Sequence, residues 1–194
     1  METVVEKFCI SSCSNSNQDE NFTLVPDVLT SLFTSSPPTI SHQLEVTCLG
    51  CLLNIPQDQA DKALLTLASF LSHRPNLSLS IIPITFSIIR RFIQGPAVTN
   101  KTLEALQKVL GLFSRHKSDY SSVVPFLLAD LLIFFQSLPV DQRGLLTTSL
   151  YPLLDMLEKH SLAYLSANLS PSTNELFKVL LANYNSSHKF KGKV

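Results

Sequence analysis

Apolar residues recur along most of this chain at the three- and four-residue spacing of a helix, and polar or proline-bearing breaks separate the runs. The pattern is plainest over 57–72, where Ala60, Ala63, Leu64, Leu67, Ala68 and Leu71 fall on one face. Leu103, Leu106, Val109, Leu110 and Phe113 do the same over 101–115. The same reading predicts helices over 22–33, 40–53, 79–94, 120–137 and 142–160, a short one over 162–168 and a last one from 172 to about 185. A weak helical segment is expected over 3–11, followed by a polar loop over 12–19. Segment 120–137 is apolar on nearly every side, which predicts the central, most buried helix.

The breaks carry their own chemistry. Ser35-Ser36-Pro37-Pro38, Pro56, Pro75, Gly95-Pro96 and Pro139 stop helices, because proline lacks the N–H that the next turn needs. Asn100, Ser118 or Asp119, and Asp141 are placed to cap the segments that follow them, and Ser172 with Glu175 has the pattern of a capping box. One local motif recurs, two apolar residues and a proline: Leu24-Val25-Pro26, Ile81-Ile82-Pro83, Val123-Val124-Pro125 and Leu150-Tyr151-Pro152. Proline suits the first turn of a helix, so the motif reads as a helix opening. Pro152 falls inside 142–160 and predicts a break just before it. Pro83 and Pro125 are separated by about one HEAT or armadillo repeat, roughly 40–47 residues, but the other motif spacings do not repeat that period. The expected fold is therefore all-α, an α-solenoid of degenerate HEAT/armadillo-like repeats. The expected organisation is a weakly ordered segment over 1–20, a helical-repeat domain over 21–187 and a basic tail over 188–194.

Composition sharpens this picture. The chain is 45% hydrophobic and only 15% charged, against a usual charged share of roughly 25%. So little polar surface predicts that some apolar surface meets another protein or another part of a longer chain. Fifteen basic and 15 acidic residues cancel, which argues against broad electrostatic binding of nucleic acid and leaves room only for a local basic element. No basic and apolar leader opens the chain, so no secretory signal is expected. The apolar run 123–138 is short for a membrane span and carries Asp130, so it reads as a core helix, with no membrane partner.

Catalytic patterns are missing. Glycines stand only at 50, 95, 111, 144 and 192, which excludes a Gly-rich phosphate loop and a G-x-S-x-G elbow. The histidines at 42, 73, 116, 160 and 188 are scattered, and His73, His116 and His160 lie near predicted helix C-termini, where the dipole suits them. Asp130 reads as a buried polar residue or one at a partner surface. Neither an enzymatic activity nor a cofactor nor a small-molecule substrate is expected. The cysteines form two close pairs, Cys9 with Cys13 and Cys48 with Cys51. A four-cysteine zinc site is conceivable, but Cys48 and Cys51 sit in an apolar segment at the spacing of a buried face, so core thiols and no metal are expected. Arg90-Arg91 reads as a solvated helix edge, with contact to RNA phosphate or an acidic partner as its functional alternative.

The C-terminus differs from the rest. Lys178, His188, Lys189, Lys191 and Lys193 gather positive charge around Tyr184 and Phe190. Lysines interleaved with aromatic rings suit RNA, phosphates meeting the charges and bases the rings. The ending Phe177-Lys178, Tyr184, then His188-Lys189-Phe190-Lys191-Gly192-Lys193-Val194 resembles the C-terminus of the nucleolar pre-ribosomal-associated family, also called unhealthy ribosome biogenesis protein two. The likeness is looser upstream, where it includes Leu150-Tyr151-Pro152-Leu153-Leu154, and Phe190 stands where an aromatic residue, often Tyr, is expected. The resemblance implies a long, non-catalytic helical-repeat protein of early large-subunit assembly, of which this chain would be the C-terminal domain. It implies a nuclear, nucleolar location, other pre-60S assembly factors as protein partners, and pre-rRNA as a ligand of the tail. Tyr184, His188, Lys189, Phe190, Lys191 and Lys193 are then the candidate docking residues. The alternative is a generic HEAT-like protein–protein adaptor of the cytoplasm.

Overall fold

The computed structural model describes residues 19–35, 41–74, 80–95 and 98–188, and all secondary structure among them is helical. The helices gather into two compact units, one within residues 1–112 and one within 113–194.

In the first unit α1 spans Asp19–Ser35, α2 His42–Leu52, α3 Ala60–His73, α4 Ile81–Ile93 and α5 Asn100–Phe113, with a 3-10 turn at Gln57–Gln59. The first four pack in two layers: α1 lies on α3 and α2 on α4, while α1 with α2 and α3 with α4 join the layers. The apolar stripe read from 57–72 is the buried face of α3, where Ala63, Leu64, Leu67 and Leu71 are sealed and Phe70 meets Phe33 of α1 edge to face, centroids 5.0 Å apart. Thr66 is the polar exception in that face. Its hydroxyl lies 3.1 Å from the Pro26 carbonyl and 2.9 Å from the Thr30 hydroxyl, so a buried polar group is satisfied across the α1–α3 contact.

Gly95 lies against the Gln57 side chain. The Gln57 side chain donates to the Phe92 carbonyl at 2.9 Å, closing the end of α4, and a Cβ on Gly95 would collide with that amide. Arg91 donates to the Ile55 carbonyl at 3.2 Å and so braces the loop after α2, while both Arg90 and Arg91 are exposed.

In the second unit a 3-10 turn at Ser114–His116 leads to α6 (Lys117–Tyr120) and α7 (Val124–Ser137); α8 (Val140–Thr147), a 3-10 turn at Thr148–Leu150 and α9 (Tyr151–Leu154) follow, then α10 (Lys159–Asn168) and α11 (Pro171–His188). α7 packs on α10 and α11, and α11 also touches α9 and α10.

Several expectations need correction. Segment 142–160 is three pieces, broken before Pro152 as the motif implied. His160 consequently lies in the first turn of α10, not at a C-terminus. Pro26 is interior to α1, whereas Pro83, Pro125 and Pro152 do open their helices. Capping falls earlier than the composition suggested. Thr99 accepts the Thr102 N–H at 3.2 Å ahead of α5, and Ser170 accepts the Thr173 N–H at 3.3 Å ahead of α11, because Asn100 and Pro171 are already helical. Ser118 and Asp119 belong to the separate turn α6, and α7 starts without a side-chain cap. Finally, α7 is not buried all round: Leu127, Leu128, Leu131 and Leu132 are sealed, Phe126 and Ile133 face outward, and α3 buries as many residues. No described helix is long and apolar enough to cross a membrane.

Candidate functional site at the C-terminal helix

α11 is the element that leads into the basic tail. Pro171 sits in its first position, where a missing N–H costs nothing, and Ser170 supplies the cap. Thr173, Phe177 and Leu180 fall on one face and are buried, with Tyr184 half-buried one turn further on. Thr173 donates to Gln136 Oε1 at 3.2 Å and ties the start of α11 to the end of α7. The opposite face is wet, with Glu175 and Lys178 paired at 2.7 Å and Val179 exposed.

The far end of α11 is held by Tyr184. Its hydroxyl donates to the Asp155 carboxylate, and its ring meets Tyr151 edge to face at 5.5 Å. Asp155 is itself fixed through its carbonyl, which accepts from Lys117 Nζ at 3.1 Å. Burial, then the Asp155 hydrogen bond and charge, push the Tyr184 hydroxyl up to about 12. Tyr184 thus already spends its hydroxyl and one ring contact inside the unit. It anchors the helix from which the tail departs. His188 is the last residue of α11, and Lys189, Phe190, Lys191 and Lys193 lie outside the described residues.

Tyr184→Phe is expected to cost about 0.5–1 kcal/mol at neutral pH, the net worth of a part-exposed hydrogen bond. A folded-state pKa raised above the ordinary 10 means that this contribution is whole below pH 10 and fades as pH rises toward 12. Urea titrations of both proteins at pH 7, 10 and 12 should show the gap closing. A gap that persists at pH 12 would remove the hydrogen bond as its cause.

The second unit also holds a feature that sequence reasoning missed. A cavity of about 350 Å³ is lined by Ser121, Pro125, Phe126, Glu158, His160 and Tyr164 among others. Phe126 was read as one more core position of an all-apolar helix, and nothing in such a run marks the residue that faces water.

The Urb2/Npa2 family model matches residues 11–193. The chain belongs to the Urb2/Npa2 family. Its membership ties it to ribosome biogenesis. The likeness first visible in the last residues therefore extends over both units of this Urb2/Npa2 chain. No curated protein and no solved structure matches it.

The other candidate residues of this family member fall as follows. Cys48 and Cys51 are buried in α2 and not joined in a disulfide, while Cys9 and Cys13 lie outside the described residues. Replacing Cys48 and Cys51 together by Ala should lower stability on the order of 1 kcal/mol per thiol, the loss of small buried groups. Metal content measured by mass spectrometry should not change, and stoichiometric zinc lost on substitution would overturn the core-thiol reading. His73 bonds the Ser69 carbonyl at 2.8 Å in the last turn of α3, as its position suggested. His116 is buried edge-on to Tyr120, and Asp130 is half-buried on α7.

Proposed function

We propose that this chain is a non-catalytic helical scaffold acting in nucleolar large-subunit maturation, in pre-rRNA processing and early pre-60S assembly. The observation that carries the reading is the Urb2/Npa2 match across residues 11–193, and it favours ribosome assembly over a generic cytoplasmic adaptor. The two-layer packing of α1 to α4, each helix stacked on the next but one, supports a solenoid of degenerate HEAT-like repeats. Such a fold offers exposed helix faces to protein partners, here other pre-60S assembly factors. Leu24, Val28, Ile133, Val140 and Val179 are exposed large apolar side chains of the kind such faces use. Neither a small-molecule substrate nor a cofactor nor a membrane enters this reading.

Pre-rRNA is the ligand of the basic tail in this scheme, with Lys189, Lys191 and Lys193 meeting phosphate and Phe190 stacking on a base. Tyr184 sets where the tail starts by holding α11 to Asp155. Deleting 188–194 should leave the helical content intact and weaken incorporation into pre-ribosomal particles. The check is recovery of large-subunit precursors by tagged intact and tailless protein at two salt concentrations, with the gap between the two forms narrowing as salt rises. Equal recovery leaves the tail without a docking role. Affinity purification of the intact protein, with its bound proteins identified and its RNA sequenced, tests the reading as a whole. Absence of both pre-60S factors and pre-rRNA would overturn it.

A further inference from the structure

The cavity in the second unit exposes an aromatic pair. Phe126 of α7 and Tyr164 of α10 stand edge to face, centroids 5.7 Å apart at 66°, and are 52% and 46% exposed. The pairs Phe33–Phe70 and Phe113–Tyr120 are sealed in the core. Glu158 and His160 also line the cavity, with His160 Nδ1 3.3 Å from Glu158 Oε2. Among the described residues no lysine or arginine lines it.

A histidine, a carboxylate and nearby serines invite a hydrolytic reading, and the geometry does not support one. The Glu158 and His160 side chains are 70% and 79% exposed, and among the described residues no hydrogen bond joins His160 to a serine. A nucleophile needs a base in reach that is itself oriented, and solvated side chains supply neither.

Aromatic surface beside a carboxylate is instead the chemistry that recognises a flat cation. Ring faces attract positive charge through their quadrupole. A guanidinium stacks on such rings and donates through its planar fork to a carboxylate, which a lysine ammonium does less well. An anion would be repelled by Glu158, and a cation would be attracted by it. We propose that this cavity receives an arginine side chain from a protein partner, stacked against Phe126 and Tyr164 with its guanidinium donating to Glu158. The volume of about 350 Å³ lies at the low end of ligand pockets, roughly 300–1,000 Å³, which suits a single side chain. The site goes beyond the ribosome-assembly reading and stands or falls without it.

The experiment is a nuclear magnetic resonance titration of the isotope-labelled full chain with capped Gly-Arg-Gly, and with the same peptide carrying citrulline or lysine. Citrulline keeps the shape of arginine and removes its charge. The arginine peptide should shift amides within 121–126 and 158–164, the lysine peptide should do so several-fold more weakly, and the citrulline peptide should not. Tyr164→Ala should weaken binding at least about tenfold and Glu158→Gln about fivefold. Glu158 is largely exposed and Tyr164 about half so, and unchanged spectra away from the cavity verify the fold of each variant. Equal shifts with citrulline, shifts confined to other surfaces, or no shifts at all would overturn the proposal. So would arginine binding that appears only after residues 189–194 are removed, since the occupant would then be the chain's own basic tail.

Discussion

Leu131→Ala is expected to destabilise the second unit by roughly 2–5 kcal/mol, and Phe134→Ala by a similar amount. Leu131 is fully buried on α7 and Phe134 nearly so, with α10 and α11 packed against the helix. Truncation removes the transfer free energy of the lost carbons and leaves a cavity that three packed helices cannot close fully. The control lies on the same helix. Ile133 is more apolar than most residues here, yet it faces water, so Ile133→Ala should stay within about 0.5 kcal/mol. Urea denaturation of the intact chain followed by helical circular dichroism reads all three. A loss at Ile133 equal to that at Leu131 would mean that the face assigned to solvent is in fact covered.

That contrast marks where the sequence stops being readable. Amphipathic helices such as α3 and α5 declare their buried faces, because polar residues on the other side fix the rotation about the axis. α7 carries no such reference: apolar residues cover nearly every side, so the period alone cannot say whether Leu131 or Ile133 points inward. The aromatic pair of the cavity was hidden for that reason. Phe126 belongs to the featureless run, and Tyr164 sits in α10, whose mixed surface gives no clear face.

Helix ends were legible to within a few residues where a proline or glycine forced them, as at Gly95 and Pro139. They were misplaced where the cap was a Ser or Thr one or two positions earlier than the most obvious candidate, as at Thr99 and Ser170. The tail was the part of the site most visible in sequence, since charge and aromatic clustering need no tertiary information. The Tyr184–Asp155 link was not visible, because it joins residues far apart in the chain that only the packing of α11 on α9 brings together.

Glu45→Gln is expected to cost about 2–3 kcal/mol. Arg74, at the end of α3, is 8% exposed, and its Nε lies 2.8 Å from Glu45 Oε1 of α2. The two meet as an ion pair and not as an aligned hydrogen bond, so charge is what compensates the guanidinium for its lost water. A glutamine keeps the size and removes that charge, leaving a nearly buried cation without its counterion. The cost falls below the roughly 3–5 kcal/mol of a sealed pair because the Glu45 side chain is 14% exposed and water screens part of the interaction. Removing both charges should behave differently. In Glu45→Gln combined with Arg74→Met, the stranded cation is gone, so the double variant should be more stable than Glu45→Gln alone and close to the parent. A four-way urea denaturation cycle measures the coupling. Additive losses in the double variant would show that the pair contributes through packing alone and that its charges are already neutralised by solvent.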